Sequence, residues 1–244
     1  DLEGIYLNGV GTEDTTTTKE IKNIAALRAY KTEKITVKDI TISHGIFHKL
    51  IFGFSNHIDV INVKFFRALK YESNTAPVST ETALITLDVC ENVRVSGCRS
   101  IDCQVYKGIS SWASTNLTIS ENNLSNLFSG DGTDATDATG AGFWFVDYGM
   151  EFGTLDMDGE EDIYTLSDGL DAKTSIRGNT FSRNNYGMRI FGGEWDNILT
   201  KGFSVVDNKV CGNAIIGIYY NGLEDYLFAD NFVENNGWDW PLQY

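Results

Sequence analysis

Five residues of this 244-residue chain have the type and placement to do chemistry: Asp88, Asp102, Asp147, Glu151 and Arg189. The four carboxylates fall beside short apolar stretches, where a side chain meets solvent at the end or start of a strand. Two carboxyl groups about 5 to 9.5 Å apart cleave a glycosidic bond, one as acid and the other as base or nucleophile. Strands stacked about 4.8 Å apart deliver such separations from adjacent or alternate strands. Arg189, with Lys49 and Lys107 as weaker options, suits a second chemistry. A cation neutralises a uronate carboxylate while a base removes the neighbouring proton, as in a lyase or an epimerase. Each carboxylate taken alone reads more readily as a solvated turn residue than as a catalyst.

The same stretches carry aromatic rings. If the strand opening each repeat alternates its faces, then Ile109, Phe143, Phe145, Met188, Ile190, Ile218 and Tyr220 point inward. Ser110, Trp112, Trp144, Val146, Arg189, Phe191, Tyr219 and Asn221 then point outward. Sugar rings pack their C–H faces on aromatic planes and give their hydroxyls to polar groups. Trp112, Trp144, Phe191, Tyr219, Asn221 and Glu194 are therefore the candidate substrate-binding residues, with Glu224 further along the same face. The competing reading is that a loop or an oligomer partner covers these rings.

A metal site is suggested only by the acidic, Gly-rich stretch 129–172. Asp131, Asp134 and Asp137 recur at spacing three, and Asp156, Asp158 and Asp162 cluster in LDMDGEED. Hard oxygen ligands on a Gly-rich loop suit calcium, although neither run matches an EF-hand. Hydrolysis requires no cofactor, so calcium belongs to the lyase reading. The histidines (His44, His48, His57) read as surface residues. Neither a GxSxG nor a phosphate-cradling GxxxxGK[ST] pattern is present.

The elements that must position these residues come from a repeat. HKLIFGFSNHIDVINVKF (48–65), TALITLDVCENVRVSGC (82–98), KGISSWASTNLTISENN (107–123), YGMRIFGGEWDN (186–197) and IGIYYNGLEDYLFADN (216–231) share one layout. Each has a short apolar strand, a polar turn with Asn, and a second alternating strand. Ile58, Val93 and Leu117 lie 35 and 24 residues apart, and Ile176, Val205 and Leu227 lie 29 and 22 apart. A period of this size with alternating strands indicates stacked β-coils. A helical repeat would need 3.6-residue periodicity, and hairpins would need Asn-Gly turns between mirrored strands. Asn92, Asn116, Asn179, Asn208 and Asn231 recur at turns and are expected to stack in ladders. Stretch 129–172 interrupts the repeat as a long insertion around GFWFVDY. Near the start, Thr17 and Glu20 fit a capping box before Ile21, Ile24 and Leu27; this segment is either a helix or another strand.

Composition narrows the classes further. With 34 acidic and 19 basic residues the net charge is −15, which repels nucleic-acid phosphates. No apolar run approaches the ~18 residues of a membrane span, and nothing at Asp1 resembles a signal peptide. The chain holds 24 Gly and 20 Asn but 2 Pro, as expected of many turns between ladders that proline would break. Cys90, Cys98, Cys103 and Cys211 form no metal pattern; they read as buried hydrophobes, or Cys98 bridges Cys103.

On these repeats the chain resembles the right-handed parallel β-helix, the pectate-lyase-like superfamily. IAALRAYKTEKITVKDITISHGIFHKLIFGFSNHIDVINVKFFRA (24–68) and TALITLDVCENVRVSGCRSIDC (82–103) look like polygalacturonase-type rungs. YGMRIFGG (186–193) is similar to the rung bearing that family's Arg-Ile-Lys motif, which places Arg189 at the substrate groove. The family's catalytic acids are absent: by register their sites read Glu81-Thr82-Ala83 and Val105-Tyr106-Lys107, and GAGFWF has no histidine. The resemblance implies one all-β domain over 1–244, a right-handed parallel β-helix of about eight rungs, forming part of a longer protein. It implies a polysaccharide-active enzyme, first a glycoside hydrolase, second a calcium-assisted uronate lyase or epimerase. A non-catalytic adhesin or tailspike shaft is the third reading. An extracellular, cell-surface or virion-surface location is expected. So are a polysaccharide partner, no nucleic acid and no membrane insertion. Uncapped ends suggest further domains, covering loops or a homo-oligomer such as a trimer.

Overall fold

Alternating sequences such as ENVRVS (91–96) bury every second side chain: Val93 and Val95 are interior while Arg94 is exposed. In the computed structural model, which describes residues 2–3, 6–9, 25–44, 49–68, 83–103, 105, 107–127, 141–146, 152–155, 161–164, 171–192 and 199–237, this pattern builds three long parallel sheets. The chain visits them in rotation. Sheet 1 runs through Leu2–Glu3, Glu33–Lys38, Asn56–Ile61, Glu91–Ser96, Thr115–Ser120, Asp171–Arg177 and Thr200–Val206, and ends on Leu223–Glu224 and Leu227–Ala229. Sheet 2 joins Tyr6–Gly9, Thr41–His44, Lys64–Phe66 and Arg99–Ile101, and through a bridge at Asn123 continues to Thr180–Ser182, Lys209–Cys211 and Phe232–Glu234. Sheet 3 stacks Leu27–Tyr30, Leu50–Gly53, Ala83–Asp88, Lys107–Trp112, Ala141–Val146, Tyr186–Phe191 and Ile216–Asn221. No helix occurs among the described residues.

Registers are conserved from circuit to circuit, so like side chains stack on like. Val37, Val60, Val95, Ile119, Ile176 and Val205 form one interior column of sheet 1, each fully buried. Leu50, Ile85, Ile109, Phe143 and Met188 do the same in sheet 3. Burying such columns is the main stabilising term, at about 25 cal/mol per Å² of apolar surface.

The corners explain the turn-residue composition only in part. After sheet 1 each circuit bends at one left-handed residue: Asp39, Asn62, Gly97, Glu121, Gly178, Asp207 and Asp230. After sheet 3 the same conformation is held by Lys31, Phe54, Val89 and Ala113, with φ of 50, 48, 51 and 41°. These residues keep their circuit-to-circuit hydrogen bonds: Val89 N donates to Trp112 O (2.8 Å) and Phe54 N to Asp88 O (2.8 Å). The ladder thus imposes positive φ on residue types that disfavour it. A left-handed L-residue costs about 1–2 kcal/mol, and a β-branched one is the worst case. Val89→Asn should therefore raise stability by about 1 kcal/mol, read as a higher urea midpoint at unchanged slope. A lower midpoint would refute the strain account.

Asparagines hold the circuits together. Asn122, Asn179, Asn208 and Asn231 form a ladder just inside the corner after sheet 1. Each side-chain oxygen accepts the backbone N–H of the equivalent residue one circuit earlier, at 2.9–3.0 Å. A second ladder, Asn184, Asn213 and Asn236, sits at the corner after sheet 2. Asn92 and Asn116 belong to a different, outer ladder: Asn116 donates to Asn92, and Asn92 to Asn56 (2.8 Å).

The cysteines are free, so no Cys98–Cys103 bridge forms. In one circuit the thiols of Cys90, Cys98 and Cys103 donate to Phe52 O (3.3 Å), Val60 O (3.7 Å) and Phe65 O (3.4 Å) of the circuit before. Burial pushes the Cys90 and Cys98 thiols up to about 12, which keeps them unreactive. Insertion 129–172 is less continuous than its composition suggested. It contributes Ala141–Val146 to sheet 3 and an antiparallel hairpin of Phe152–Leu155 with Glu161–Tyr164. Thr17, Glu20, Ile21 and Ile24 lie outside the described residues; Leu27 begins a strand rather than extending a helical stripe.

Candidate functional site

The outward face of sheet 3 collects the residues singled out by type. Two columns run along it. One is Arg28, Ile51, Thr86, Ser110, Trp144, Arg189 and Tyr219; the other is Tyr30, Gly53, Asp88, Trp112, Val146, Phe191 and Asn221. Period-two alternation assigned these faces, and burial agrees for Ile109, Phe143, Phe145, Met188 and Ile190, all fully buried. For Trp144 and Val146 only the backbone position is described.

At one end of this face Arg189 lies among three rings. Its guanidinium sits 4.5 Å from the Phe191 ring centre, 4.8 Å from Tyr186 and 5.6 Å from Tyr219. Phe191 and Tyr219 pack at 5.2 Å between centres. Such contacts contribute about 0.5–1 kcal/mol each at exposed sites, and together they hold the cation in one place. Arg189, Phe191, Tyr219 and Trp112 are half-buried and Asn221 is exposed. Asp88, also half-buried, pairs in register with Trp112.

Tyr186 was not among the residues expected at the site. Strict alternation places it on the inner face with Met188, and it is indeed buried and in unbroken register, yet its ring reaches the Arg189 guanidinium. Beside it runs a row of glycines: Gly108, Gly142, Gly187 and Gly217 occupy the second position of four consecutive strands of sheet 3. A Cβ on Gly108, Gly142 or Gly187 would meet the next glycine's carbonyl oxygen at 2.5, 2.8 and 2.4 Å.

Several expectations are corrected. Ser110 lies in the outward column yet is 2 % exposed, so it offers no accessible hydroxyl. Tyr220 lies in the inward column but is 47 % exposed, because no described strand follows Ile216–Asn221. Asp102 occupies the left-handed corner after sheet 2, before Lys107–Trp112 begins. Asp88 stands at the far end of the neighbouring strand, across a six-residue span of roughly 16 Å. The two are not a catalytic pair. Asp131, Asp134, Asp137, Asp147, Glu151, Asp156, Asp158 and Glu194 lie outside the described residues, and Asp162 is described in backbone only. No cluster of three or more metal-ligating side chains occurs among the described residues.

Lys107 and Lys49 are buried (4 % and 2 % exposed), not free cations beside the groove. Burial lowers the Lys49 ammonium to about 8, only partly offset by the nearby Cys103 thiol. The unfolded chain binds this proton up to the ordinary lysine value near 10.5, so folding is penalised below pH 8. That penalty fades as pH rises from about 8 to 10.5. Lys49→Met should stabilise the protein at pH 7 by up to about 3 kcal/mol. The gain should shrink towards zero at pH 10.5 in paired urea titrations; a pH-independent difference would contradict it.

No known protein-family model matches the chain, and no curated protein sequence matches it.

Proposed function

We propose that the three sheets wrap as a right-handed parallel β-helix of about eight rungs, pectate-lyase-like in kind. The outward face of sheet 3 then binds a polysaccharide chain lengthwise for glycoside hydrolysis. Handedness follows the near-universal right-handed crossover between parallel strands. The observation that carries the function is the caged Arg189 beside Tyr186, Phe191 and Tyr219, with Trp112 and Asp88 further along the same face. Rings take the apolar faces of sugars, and a fixed guanidinium takes a carboxylate or hydroxyl. Asp88 serves as one carboxyl group. Asp147, the next carboxylate along the sequence after strand Ala141–Val146, is the candidate for the second, and it lies outside the described residues.

A second reading, uronate lyase or epimerase with calcium drawn from the acidic insertion, is favoured by Arg189 itself. Neutral and acidic polysaccharides should be incubated with the protein, reading reducing ends and absorbance near ~235 nm. New reducing ends without absorbance, unchanged by chelator, support hydrolysis. Absorbance that chelator abolishes supports elimination. Binding without either product supports the adhesin reading and overturns the enzyme. Arg189→Ala should weaken binding of the active polysaccharide about tenfold or more, as expected for a charge-assisted contact. Unchanged affinity by affinity electrophoresis would remove this face from the site.

A further inference from the structure

Sheets 1 and 2 treat charge oppositely in the same two circuits. On sheet 1, Arg94 lies directly across the ladder from Asp59 and bonds it at 2.8 Å. On sheet 2, Lys64 lies directly across from Arg99, both exposed. Like charges in that relation repel. Every ion pair among the described residues lies on sheet 1 or the corner after it, and neither Lys64 nor Arg99 belongs to one. The next outward pair on sheet 2 is apolar: Phe66, half-buried, stands in register with Ile101, 45 % exposed. Arg67 turns the corner beside them, with its guanidinium 4.9 Å from the Phe66 ring centre. Further along the stack, Arg183 and Lys209 stand three ladder steps from Arg67 and Arg99, roughly 14 Å. Sheet 2 and the corner after it thus carry five exposed cations among their described side chains against two carboxylates, Asp102 and Glu234, in a chain of net charge −15.

We infer that the outer face of sheet 2 binds an acidic polysaccharide, carboxylated or sulfated, laid along the stack over Lys64, Arg67 and Arg99. This site is separate from the sheet 3 face and does not depend on it. An anionic group seated between Lys64 and Arg99 replaces their repulsion with two charge-assisted contacts. Phe66 and Ile101 give the C–H face of the same sugar an apolar surface. Strands Lys64–Phe66 and Arg99–Ile101 are three residues long, so the strip is about 10 Å wide. Asp39, Glu121, Asp207 and Asp230, at the corner before sheet 2, bound it with an acidic rim. A single saccharide chain fits inside that rim. Duplex nucleic acid, with two closely charged strands, would overhang the rim and be repelled.

The test is affinity electrophoresis of the 244-residue protein in alginate, dextran sulfate or neutral dextran. Arg189→Ala is run beside the wild type, so that the sheet 3 face cannot supply the signal. At least one acidic chain should retard both proteins, and dextran should not. Alginate alone or dextran sulfate alone would name the anion that the site takes. Retardation should weaken at about 0.5 M salt, where the Debye length falls to a few Å. Arg67→Gln with Arg99→Gln should lower affinity about tenfold in the Arg189→Ala background. Both arginines are exposed, so the urea midpoint should not move. Arg94→Gln with Arg177→Gln removes the same charge from paired positions on sheet 1 and should lower affinity by less than about twofold. Equal losses in the two double variants would mean that net charge alone binds the polymer and would overturn the inference. So would no retardation by either acidic chain, equal retardation by duplex DNA, or self-association that disappears in the Arg67, Arg99 variant. If Arg189→Ala abolishes retardation and the Arg67, Arg99 variant keeps it, the sheet 3 reading stands and this inference falls. If Arg189→Ala keeps it and the Arg67, Arg99 variant loses it, this inference stands without that reading.

Discussion

Asn208→Ala is expected to be among the most damaging single substitutions in the interior, lowering stability by on the order of 3–5 kcal/mol. Asn208 is 1 % exposed and uses its whole amide. Its Nδ2 donates to Ile176 O (2.9 Å), Val206 O (3.0 Å) and Asn231 Oδ1 (2.9 Å). Its Oδ1 accepts from the Asn179 backbone N (3.0 Å) and from Asn179 Nδ2 (2.9 Å). Alanine therefore strands buried groups on both neighbouring circuits. Each buried donor or acceptor left without a partner costs about 1–3 kcal/mol, and a typical domain has only about 5–15 kcal/mol in hand. Asn208→Asp should be as damaging, since a carboxylate would face two carbonyl oxygens. The comparison that isolates burial is Asn92→Ala. Asn92 sits in the outer ladder, bonding Asn56 and Asn116 at the surface, where water replaces the lost partner. Its lost hydrogen bonds should cost well under 1 kcal/mol, and alanine at its left-handed φ of 55° about 1 kcal/mol more, a total still well below that for Asn208. Urea titration of the pair would show whether burial, rather than membership of a ladder, sets the energy; equal losses would refute it.

What the sequence made legible follows from which forces act locally. Alternation marks a strand's faces because each residue's burial depends on its own parity. Ile109, Phe143 and Ile190 were therefore placed correctly without knowledge of their neighbours. Recurring Asn at turns pointed to ladders, and Asn179, Asn208 and Asn231 form one. Asn92 and Asn116 were in the same set, but they stack outside, because the turn chemistry of Asn is alike on either side of a corner. Properties set by the next circuit were not legible. Val89, Phe54 and Ala113 adopt positive φ because the ladder bonds on either side demand it, and nothing in their side chains announces this. Lys49 and Lys107 read as surface cations by type and are interior by position. Tyr220 failed in the opposite direction: its parity is inward, but no described strand covers it. Of the candidate site, Arg189, Phe191 and Tyr219 came together as read, whereas Tyr186 has inward parity and its approach to Arg189 depends on packing that alternation does not report.

The row of glycines beside Tyr186 supplies the second large expected effect. Gly187→Ala should cost on the order of 3 kcal/mol and loosen the ring cage around Arg189 without altering any residue in it. A Cβ at 187 would lie 2.3 Å from Val210 Cγ1, 2.4 Å from Gly217 O and 3.0 Å from Asn213 Nδ2. Val210 is a buried side chain and Gly217 O is backbone, so neither swings aside as a flexible chain end would. Overpacked cores typically lose about 1–3 kcal/mol, and a backbone obstacle belongs at the upper end. The relief available is to part Tyr186–Phe191 from Ile216–Asn221, and these two strands carry Arg189 and Tyr219. Their 5.6 Å contact should lengthen, and with it the 5.2 Å packing of Phe191 on Tyr219. Stability and saccharide affinity should therefore fall together in Gly187→Ala. Gly178→Ala is the control. Gly178 has φ of 65° but nothing nearer to an added Cβ than Glu121 Cγ at 3.8 Å, so it pays for conformation alone, about 1 kcal/mol, and sits away from sheet 3. Affinity should survive Gly178→Ala. If Gly187→Ala proves no worse than Gly178→Ala, close approach of the glycine carbonyls is not what spaces the strands under the cage. If stability falls but affinity holds, the face of sheet 3 around Arg189 is not where sugar binds.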